Sequence, residues 1–311
     1  MKSRLVFLAL VFLSTSLYAD ENITLLDEYH DDLCNILVDT SNSIDSYFVD
    51  DNSTESSSTR AELINSFAME NRQSFEKDIR LRLRLSLPKI QKNLRLIFED
   101  ESNDDTLYDS TKLTNQHLDD KKYYLSLEYF KFVKKKLNMA VAAGVRIRHS
   151  NLVPYLNLRS HYDVYQKNSI NSELYNRLRY YSDGEVENAF EFNNKYTVDD
   201  AVDFFWRNQL SYSNKEEFQT LINDVSWMKT INYKEQVGIG FGVVSQLKNF
   251  KNLNVDYAHI HGLFHHIFYK NWIYYQIAPS LLWRKSNDFK ISYRYMMNFG
   301  VLFDAPSNSG Y

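Results

Sequence analysis

The sequence predicts an all-β chain, an antiparallel up-and-down transmembrane β-barrel of about 14 strands with a short N-terminal helical segment. Apolar and polar residues alternate with a period of two in one segment after another, so each segment has one apolar and one polar face. Aromatic residues make up 15% of the chain, with 23 Tyr and 4 Trp. Many of them flank the alternating segments, as the interfacial rings of a membrane barrel do.

The overall composition narrows the possible classes of protein. A mean hydropathy of −0.47 excludes a bundle of membrane-spanning helices, but not a barrel, in which lipid-facing residues alternate with polar ones. The single cysteine excludes an intrachain disulfide and any metal site built from several cysteines. The formal net charge of −4 disfavours a nucleic-acid partner. The polar faces are rich in Arg, Asn, Gln and Glu, whereas Lys, Thr and Ser would dominate in a soluble β-sandwich.

Residues 1–19 have the pattern of a cleaved secretory signal peptide. Lys2 and Arg4 precede the apolar run Leu5–Leu13, and Ala19 stands at the expected cleavage site. The apolar run is too short to span a bilayer. The sequence therefore predicts an exported chain.

Residues 20–49 are expected to form a helical segment, because apolar residues recur in them at spacings of three, four and seven. Residues 50–60 are a polar run with the composition of a linker. The helical segment is strongly acidic, and the linker is long enough for it to fold back on the strands that follow.

Residues 61–303 are expected to form the barrel, followed by a tail of residues 304–311. Ile79–Leu87 alternates over nine residues without a fault, and later segments repeat the pattern. Thirteen segments alternate clearly or fairly, and the weakest candidate, Ala61–Asn71, makes fourteen. A closed bacterial barrel requires an even number. Twelve strands are the alternative if weak segments such as Phe218–Met228 pair poorly.

These features together resemble Gram-negative outer-membrane β-barrel proteins, and the resemblance covers roughly residues 61–303. It rests on the signal peptide, the repeated amphipathic strands and the closing strand, in which Phe299, Val301 and Phe303 alternate. The resemblance implies location in the outer membrane of a Gram-negative bacterium and contact with its lipid and lipopolysaccharide. It also implies that the barrel-assembly machinery reads the closing strand, although the residues Asp304–Tyr311 follow the terminal aromatic here.

The polar faces of the strands are expected to line the lumen. Because every second residue of a strand points to the same face, twelve arginines are assigned to the lumen. They are Arg80, Arg82, Arg84, Arg95, Arg146, Arg148, Arg159, Arg177, Arg179, Arg207, Arg284 and Arg294. The acids expected beside them are Glu99, Glu128, Asp163, Glu187, Glu191 and Asp203. The resulting surplus of about six positive charges would focus small anionic solutes. The alternative is a filled interior in which arginines pair with carboxylates.

The acidic helical segment suits such a lumen in one of two ways. Gly238, Gly240 and Gly242 leave the inner face of one strand bare, and glycine in a strand often marks the close approach of another backbone. The helix could enter the lumen along this strand and offset the positive charge. In the alternative, it stays outside the barrel and contacts a partner or a second copy of the chain.

No catalytic residue, metal site or cofactor is expected. His149-Ser150 looks superficially like part of the His-x-Ser-Asn motif of outer-membrane phospholipase A, but the intervening residue is missing. Neighbouring residues on a strand also point to opposite faces, so the two could not form a dyad within a strand. His259 and His261 share a strand face and could bind zinc, yet no third ligand is evident.

The sequence therefore favours a non-enzymatic outer-membrane barrel. It is either a porin-like channel with an Arg-rich lumen and a bias for anions, or a plugged structural barrel. The first alternative is a barrel hydrolase that acts on lipid or lipopolysaccharide through His149 or His161. The second is a secreted soluble β-protein with a helical interaction segment.

Overall fold

The computed structural model describes residues 20–48, 59–71, 73–87, 94–100, 123–134, 136–148, 151–167, 169–248 and 250–304. The predicted signal peptide, most of the predicted linker and the tail from residue 305 lie outside these ranges. The elements within them are α1 (Asp20–Phe48), β1 (Arg60–Glu70), β2 (Glu76–Ser86), β3 (Leu94–Asp100), β4 (Tyr123–Lys134), β5 (Leu137–Arg148), β6 (Asn151–Lys167), β7 (Ile170–Tyr181), β8 (Val186–Asp199), β9 (Val202–Ser213), β10 (Phe218–Asn232), β11 (Glu235–Lys248), β12 (Asn252–Tyr269), β13 (Ile273–Arg284), a 3-10 turn (Lys285–Asn287) and β14 (Ile291–Asp304).

The strands close into one antiparallel barrel in chain order. The closure joins β1 to β14, with pairs that run from Arg60 opposite Asp304 to Glu70 opposite Arg294. This confirms the predicted up-and-down barrel of fourteen strands, including its weakest candidate, β1. The alternative of twelve strands is wrong, because β10 pairs along most of its length with both β9 and β11.

The two faces of the barrel wall differ in chemistry. On β2, Ile79 and Leu81 point outward and are exposed, whereas Asp78 and Arg80 point inward and are buried. The other strands repeat this arrangement, with large apolar side chains exposed outside and mostly polar or small side chains buried inside. A water-soluble barrel would bury its large apolar side chains. The opposite distribution is typical of a barrel that faces lipid.

The first half of α1 lies against the strand ends where the barrel begins and finishes. The ring of His30 stacks on Trp272, with centroids 4.2 Å apart, and on Phe303 at 5.4 Å. Nε2 of His30 lies 2.9 Å from the carbonyl oxygen of Leu302. The helix is therefore fixed to β14 and to the connection between β12 and β13.

Asp27 ties the same end of α1 to the β12–β13 connection. Its carboxylate accepts hydrogen bonds from Lys270 at 2.5 Å and from the hydroxyl of Tyr269 at 3.1 Å. The hydrogen bond from Lys270 holds the pKa of the Asp27 carboxyl below its usual value, and the same contact raises the pKa of Lys270. Further along the helix, Ser41 donates from Oγ to the carbonyl oxygen of Ser86 at 2.7 Å, which anchors α1 to the end of β2.

α1 therefore crosses the ends of β14, β1 and β2 on the outside of the barrel. Ala61 and Leu85 are outward-facing positions at this rim, and they are only 4% and 2% exposed. The predicted alternative in which the helix enters the lumen is wrong for the described residues. The inner face of β11 is covered by the side chains of His259 and His261 instead. The described helix is not long and apolar enough to cross a membrane.

Candidate functional site on the inner face of the barrel

Residues that oppose each other across a β-ladder have their side chains on the same face of the sheet. The register of each strand pair therefore identifies the inward-facing residues of the next strand. Starting from the buried Arg80, the ladders assign to this face the positions Arg80, Arg82, Arg84, Arg95, Arg146, Arg148, Arg159, Arg177, Arg179, Arg207, Arg284 and Arg294. The acids Glu128, Asp163, Glu187 and Glu191 occupy the same face. That these residues line a conducting channel stays a prediction.

Further carboxylates, beyond the six acids expected from the sequence, share the inner face. They include Glu62, Glu70, Glu76, Asp78, Glu173 and Asp224. They offset the surplus of about six positive charges that the sequence predicted. The prediction missed the acids of β1 and β2 because β1 has the least regular pattern of the strands, and because Glu76 and Asp78 precede the alternating run of β2. Most of the charge on the inner face is therefore balanced between neighbouring strands.

A buried set of charges, the Glu70 cluster, lies at the closure of the barrel. Glu70 accepts hydrogen bonds from Nε and Nη2 of Arg284 at 3.0 and 3.1 Å, a bidentate pair. Arg294 lies between two carboxylates, with Nη1 3.5 Å from Glu70 and Nη2 3.6 Å from Glu76. Bidentate ion pairs of this kind are among the stronger polar contacts in proteins. The Glu70 cluster therefore connects β13, β14, β1 and β2 on the inside.

A second set, the Arg146 cluster, lies where β5 meets the β7–β8 turn. Nη2 of Arg146 donates to Glu185 at 2.7 Å, and Nη1 lies 3.5 Å from Glu187. The guanidinium also lies over the ring of Tyr181, 3.8 Å from its centroid, and the Tyr181 hydroxyl donates to Glu187 at 2.7 Å. Arg179 reaches the same carboxylate at 3.5 Å. Ion pairs and cation–π contacts together hold both guanidiniums against the wall.

A third set of charges lies on β4, β6 and β7. Arg159 forms an ion pair with Glu128. Nε2 of His161 lies 3.2 Å from Glu173 and 3.6 Å from Asp163. Within the described part of the chain, both partners of His161 are carboxylates, and neither is the hydroxyl nucleophile that a histidine-dependent hydrolase would need.

Two histidines of β12 meet an aspartate of β10 across the strand that separates them. Asp224 stands opposite Gly242 of β11, which stands opposite His259. Because Gly242 has no side chain, the two polar groups meet over its backbone, and His259 Nε2 lies 3.4 Å from Asp224 Oδ2. Gly240 leaves the same space for His261, whose ring centroid lies 5.2 Å from that of His259.

We call Asp224, His259 and His261 the histidine–aspartate cluster. All three are buried, with exposures of 2%, 0% and 1%. One ligand atom from each lies within 4.8 Å of the other two. No third ligand for the histidines is evident from the sequence, because Asp224 is two strands away. The two inward glycines of β11 were the signal that could have found it, since they remove the side chains that would keep β10 and β12 apart.

The remaining predicted residues lie away from the inner face or outside the described ranges. Phe299, Val301 and Phe303 point outward on β14, and Phe303 lies beneath the ring of His30. Their recognition by the assembly machinery stays a prediction. His149 and Ser150 lie outside the described residues.

No family model and no curated protein matches the sequence. Among solved structures, a loop-deletion mutant of OmpT, an outer membrane protein of Vibrio cholerae, is 9% identical with a TM-score of 0.47, over 79% of this chain and 99% of that chain. The outer membrane channel DcaP of Acinetobacter baumannii is 10% identical with a TM-score of 0.48, over 80% and 97%. A bacterial polysaccharide outer membrane secretin is 9% identical with a TM-score of 0.45, over 79% and 98%. These likenesses are too distant to bear on the function of this chain.

Proposed function

We propose that the protein is a non-enzymatic outer-membrane β-barrel that passes small solutes through a water-filled lumen. The observation that carries this proposal is the closed wall with exposed apolar side chains outside and charged side chains inside. Hydrocarbon requires every backbone polar group to be paired, and a closed barrel has no unpaired strand edge. Contact with outer-membrane lipid and lipopolysaccharide, and recognition of β14 by the barrel-assembly machinery, belong to the same proposal.

The width of the barrel supports passage of water and solutes. A round barrel of fourteen strands has a backbone diameter of about 28 Å, for strands about 4.8 Å apart and tilted by about 40°. In an eight-stranded barrel, side chains from the wall already fill the interior. The described strands all belong to the wall, and α1 lies outside it. Side chains of the wall alone are therefore too short to fill this interior.

A modest anion preference is part of the proposal, and we assign it to one mouth of the barrel. Arg84 and Arg95 face inward near the strand ends that α1 covers, and Arg95 is exposed. At the opposite end of the barrel, the guanidiniums of the Glu70 and Arg146 clusters lie beside carboxylates. Arg60 stands opposite Arg84 on the neighbouring strand, so three arginines are concentrated at this mouth, and such a concentration of cations attracts anions.

Membrane fractionation tests the location and the barrel. We expect the protein to be recovered by detergent extraction of the outer membrane and to migrate differently on a gel before and after boiling, as closed barrels do. Recovery in the soluble periplasm would contradict the proposal and favour the secreted soluble β-protein.

Conductance in planar lipid bilayers tests solute passage, and the reversal potential in a salt gradient tests the anion preference. We expect Arg84→Gln combined with Arg95→Gln to shift the reversal potential towards that of a cation-preferring pore. Lys229→Gln is the matched control, because Lys229 is an exposed cation at the same end of the barrel on an outward position. A folded barrel without conductance would contradict solute passage and favour a filled, structural barrel.

A further inference from the structure

We propose that the histidine–aspartate cluster is a binding site for one divalent transition-metal ion, with zinc as the best match to its donor atoms. Two imidazoles and a carboxylate form a ligand set that zinc accepts in proteins, with the fourth position left to water or a solute. The proposal requires the barrel fold, but it does not require that solutes pass through the lumen.

The spacing of the three side chains suits a metal ion. Ligand atoms about 2.0–2.1 Å from a tetrahedral zinc ion lie about 3.3 Å from each other. Nε2 of His259 and Oδ2 of Asp224 are 3.4 Å apart, and the third ligand atom, from His261, lies within 4.8 Å of both. Small rotations of the His261 ring therefore complete a three-ligand site.

The glycines of β11 indicate that the meeting of these side chains depends on a special feature of the wall. A Cβ atom on Gly242 would lie 2.7 Å from Oδ2 of Asp224 and would also overlap the ring of His259. A Cβ atom on Gly240 would lie 2.6 Å from Nε2 of His261. Any side chain at either position would thus push the candidate ligands apart. Glycine at both positions is what lets β10 and β12 contribute to one site.

The burial of His259 gives an independent reason to expect a ligand. Its side chain is fully buried, and neither ring nitrogen has a hydrogen-bond partner within the described part of the chain. Buried polar atoms in native proteins nearly always have a partner. A metal ion bound to Nε2 would supply one. The competing account is an ion pair between His259 and Asp224 without a metal ion.

Metal binding to the purified, chelator-treated barrel tests the proposal directly. We expect equilibrium dialysis against zinc to leave one tightly bound ion per chain, and cobalt to give the visible spectrum of a tetrahedral complex. Asp224→Asn and His261→Gln should each weaken binding by at least about tenfold, the loss that even an outer-shell substitution can cause. Gly242→Ser keeps all three ligands and should still weaken binding, because it moves His259.

The second group of possible ligands in the barrel provides a matched control. His161, Asp163 and Glu173 also lie within ligand distance of one another, but they are only partly buried. His161→Gln should leave the affinity and the cobalt spectrum unchanged. A wild-type barrel that binds no zinc would overturn the proposal. So would binding that survives Asp224→Asn and His261→Gln but is lost in His161→Gln. Heat-modifiable migration of each variant shows that the barrel has folded.

A different observation, the distribution of side chains around α1, leads to a second inference. We infer that α1 lies in the membrane interface at the rim of the barrel, with its apolar side against the acyl chains of the adjoining leaflet. This inference rests on the proposed function in one respect only, because it requires that the barrel spans a membrane.

Three sides of α1 have different chemistry. Each residue advances the helix by about 100°, clockwise when viewed from the N-terminus. Cys34 is buried and marks the side that faces the barrel. The apolar flank, at about 200–280° from Cys34, consists of Leu26, Tyr29, Leu33 and Ile36. The acidic flank, at about 60–160°, consists of Glu28, Asp31, Asp32 and Asp39.

The handedness of the barrel fixes where the two flanks point. We view the wall from outside, with the start of β1 and the end of β14 at the bottom. In an ascending strand of L-residues, an outward-facing residue directs its N–H to the right. Asn71 follows β1 at an outward position and donates its N–H to the carbonyl of Tyr293. β14 therefore lies to the right of β1, and β2 lies to the left.

α1 runs from its contact with Leu302 of β14 to its contact with Ser86 of β2, so it runs from right to left along the bottom rim. In a right-handed helix with this direction, the clockwise turn from the barrel side leads first to the bottom, then outward and then upward. The acidic flank consequently faces water beyond the rim. The apolar flank faces outward and upward, along the wall.

The exposure of the apolar flank agrees with a lipid environment. Leu33 is 46% exposed and Ile36 is 57% exposed, values similar to those of Leu81 and Phe299 on the outer wall. The flank thus continues the apolar outer surface of the barrel to its rim. An amphipathic helix with this arrangement lies in the plane of the interface. Its acidic water-facing side fits a zwitterionic lipid surface better than an anionic one.

Fluorescence quenching of single cysteine labels tests the inference. The barrel with Cys34→Ser, reconstituted in vesicles of zwitterionic lipid, provides the background, because Cys34 is the only cysteine. A fluorophore at Leu33→Cys should be quenched by quencher groups on the acyl chains. A fluorophore at Asp32→Cys, the neighbouring residue, should be quenched by aqueous iodide instead. Equal quenching at the two positions would overturn the inference.

A third label separates this inference from the proposed function. Leu81 lies on the outer wall, away from α1. If the label at Leu81→Cys is quenched by lipid and the label at Leu33→Cys is not, the barrel spans the membrane and only the interfacial position of α1 is wrong. If Leu81→Cys is not quenched by lipid, the barrel does not span the membrane and the proposed function fails.

Discussion

Removing the charge of Glu70 is expected to destabilise the barrel strongly, because the Glu70 cluster is buried. The side chains of Glu70 and Arg294 are each 2% exposed, and that of Arg284 is 13% exposed. Glu70→Gln keeps the shape of the side chain but leaves two guanidiniums without the negative charge between them. Loss of one partner of a buried ion pair typically costs about 3–5 kcal/mol. We expect the lower end, about 3 kcal/mol, because Arg294 retains Glu76.

Urea unfolding of the barrel in lipid vesicles, followed by tryptophan fluorescence, measures this loss. A cost of about 3 kcal/mol lowers the ratio of folded to unfolded protein by about a hundredfold. Glu217→Gln is the control, because Glu217 pairs with Lys248 on the surface and both side chains are about half exposed or more. Exposed pairs contribute about 0–1 kcal/mol. If Glu70→Gln costs no more than Glu217→Gln, water in the lumen solvates the arginines and the argument from burial is wrong.

Two further predictions concern the wall and the rim. The ring of Tyr274 occupies the space beside Gly300 and donates a hydrogen bond to Glu62 at 2.6 Å. Gly300→Ala should therefore displace the ring and lower the free energy of unfolding by about 1–3 kcal/mol, measured by the same urea titration. The ion pair of Asp27 with Lys270 should hold α1 in place at pH values between the pKa of Asp27 and the pKa of Lys270. Because the pKa of Asp27 is lowered, its contribution is present above about pH 4 and is lost as the pH falls through the lowered value. Because the pKa of Lys270 is raised, its contribution is present below its usual value and is lost only as the pH rises through the raised value. The rate of proteolysis of α1 in the folded barrel, measured as a function of pH, gives the acidic and the alkaline pH at which the helix detaches.

Each of these predictions has a matched control. Gly262→Ala should cost less than Gly300→Ala, because the nearest atom to an added Cβ is a ring carbon of Pro279 at 3.3 Å. Equal costs at the two glycines would contradict the argument from the tyrosine ring. Asp27→Asn should remove the acid limit of helix docking. If wild type and Asp27→Asn lose protection of the helix at the same acidic pH, the ion pair does not hold it.

The architecture of the wall could be predicted because each strand has two faces in different surroundings. Ile79–Leu87 alternates since lipid selects one set of side chains and the interior selects the other, so a local pattern reports the overall fold. β1 has no such regular pattern, since Ile64 and Ala68 lie on its inner face. Its place in the barrel followed only from the requirement for an even number of strands.

The groups of charged side chains could not be predicted in the same way. Glu70 meets Arg284 although 214 residues separate them, and the contact depends on the register of β13, β14 and β1. No periodicity within one strand contains that information. The contact between Asp224 and His259 could not be predicted for the same reason. It depends on the alignment of three strands and on a glycine in the middle one.

The position of α1 across the closure has a consequence for the order of folding. Its contacts with Leu302 and with Ser86 lie on opposite sides of the β1–β14 pair. The surface that it binds therefore exists only after the first and last strands have met, which is the step with the largest loop-closure cost. The helix leaves the ribosome before any strand, but it docks after all of them. Contacts that form after the rate-limiting step do not speed folding; they slow unfolding, because α1 must detach before β1 and β14 can separate.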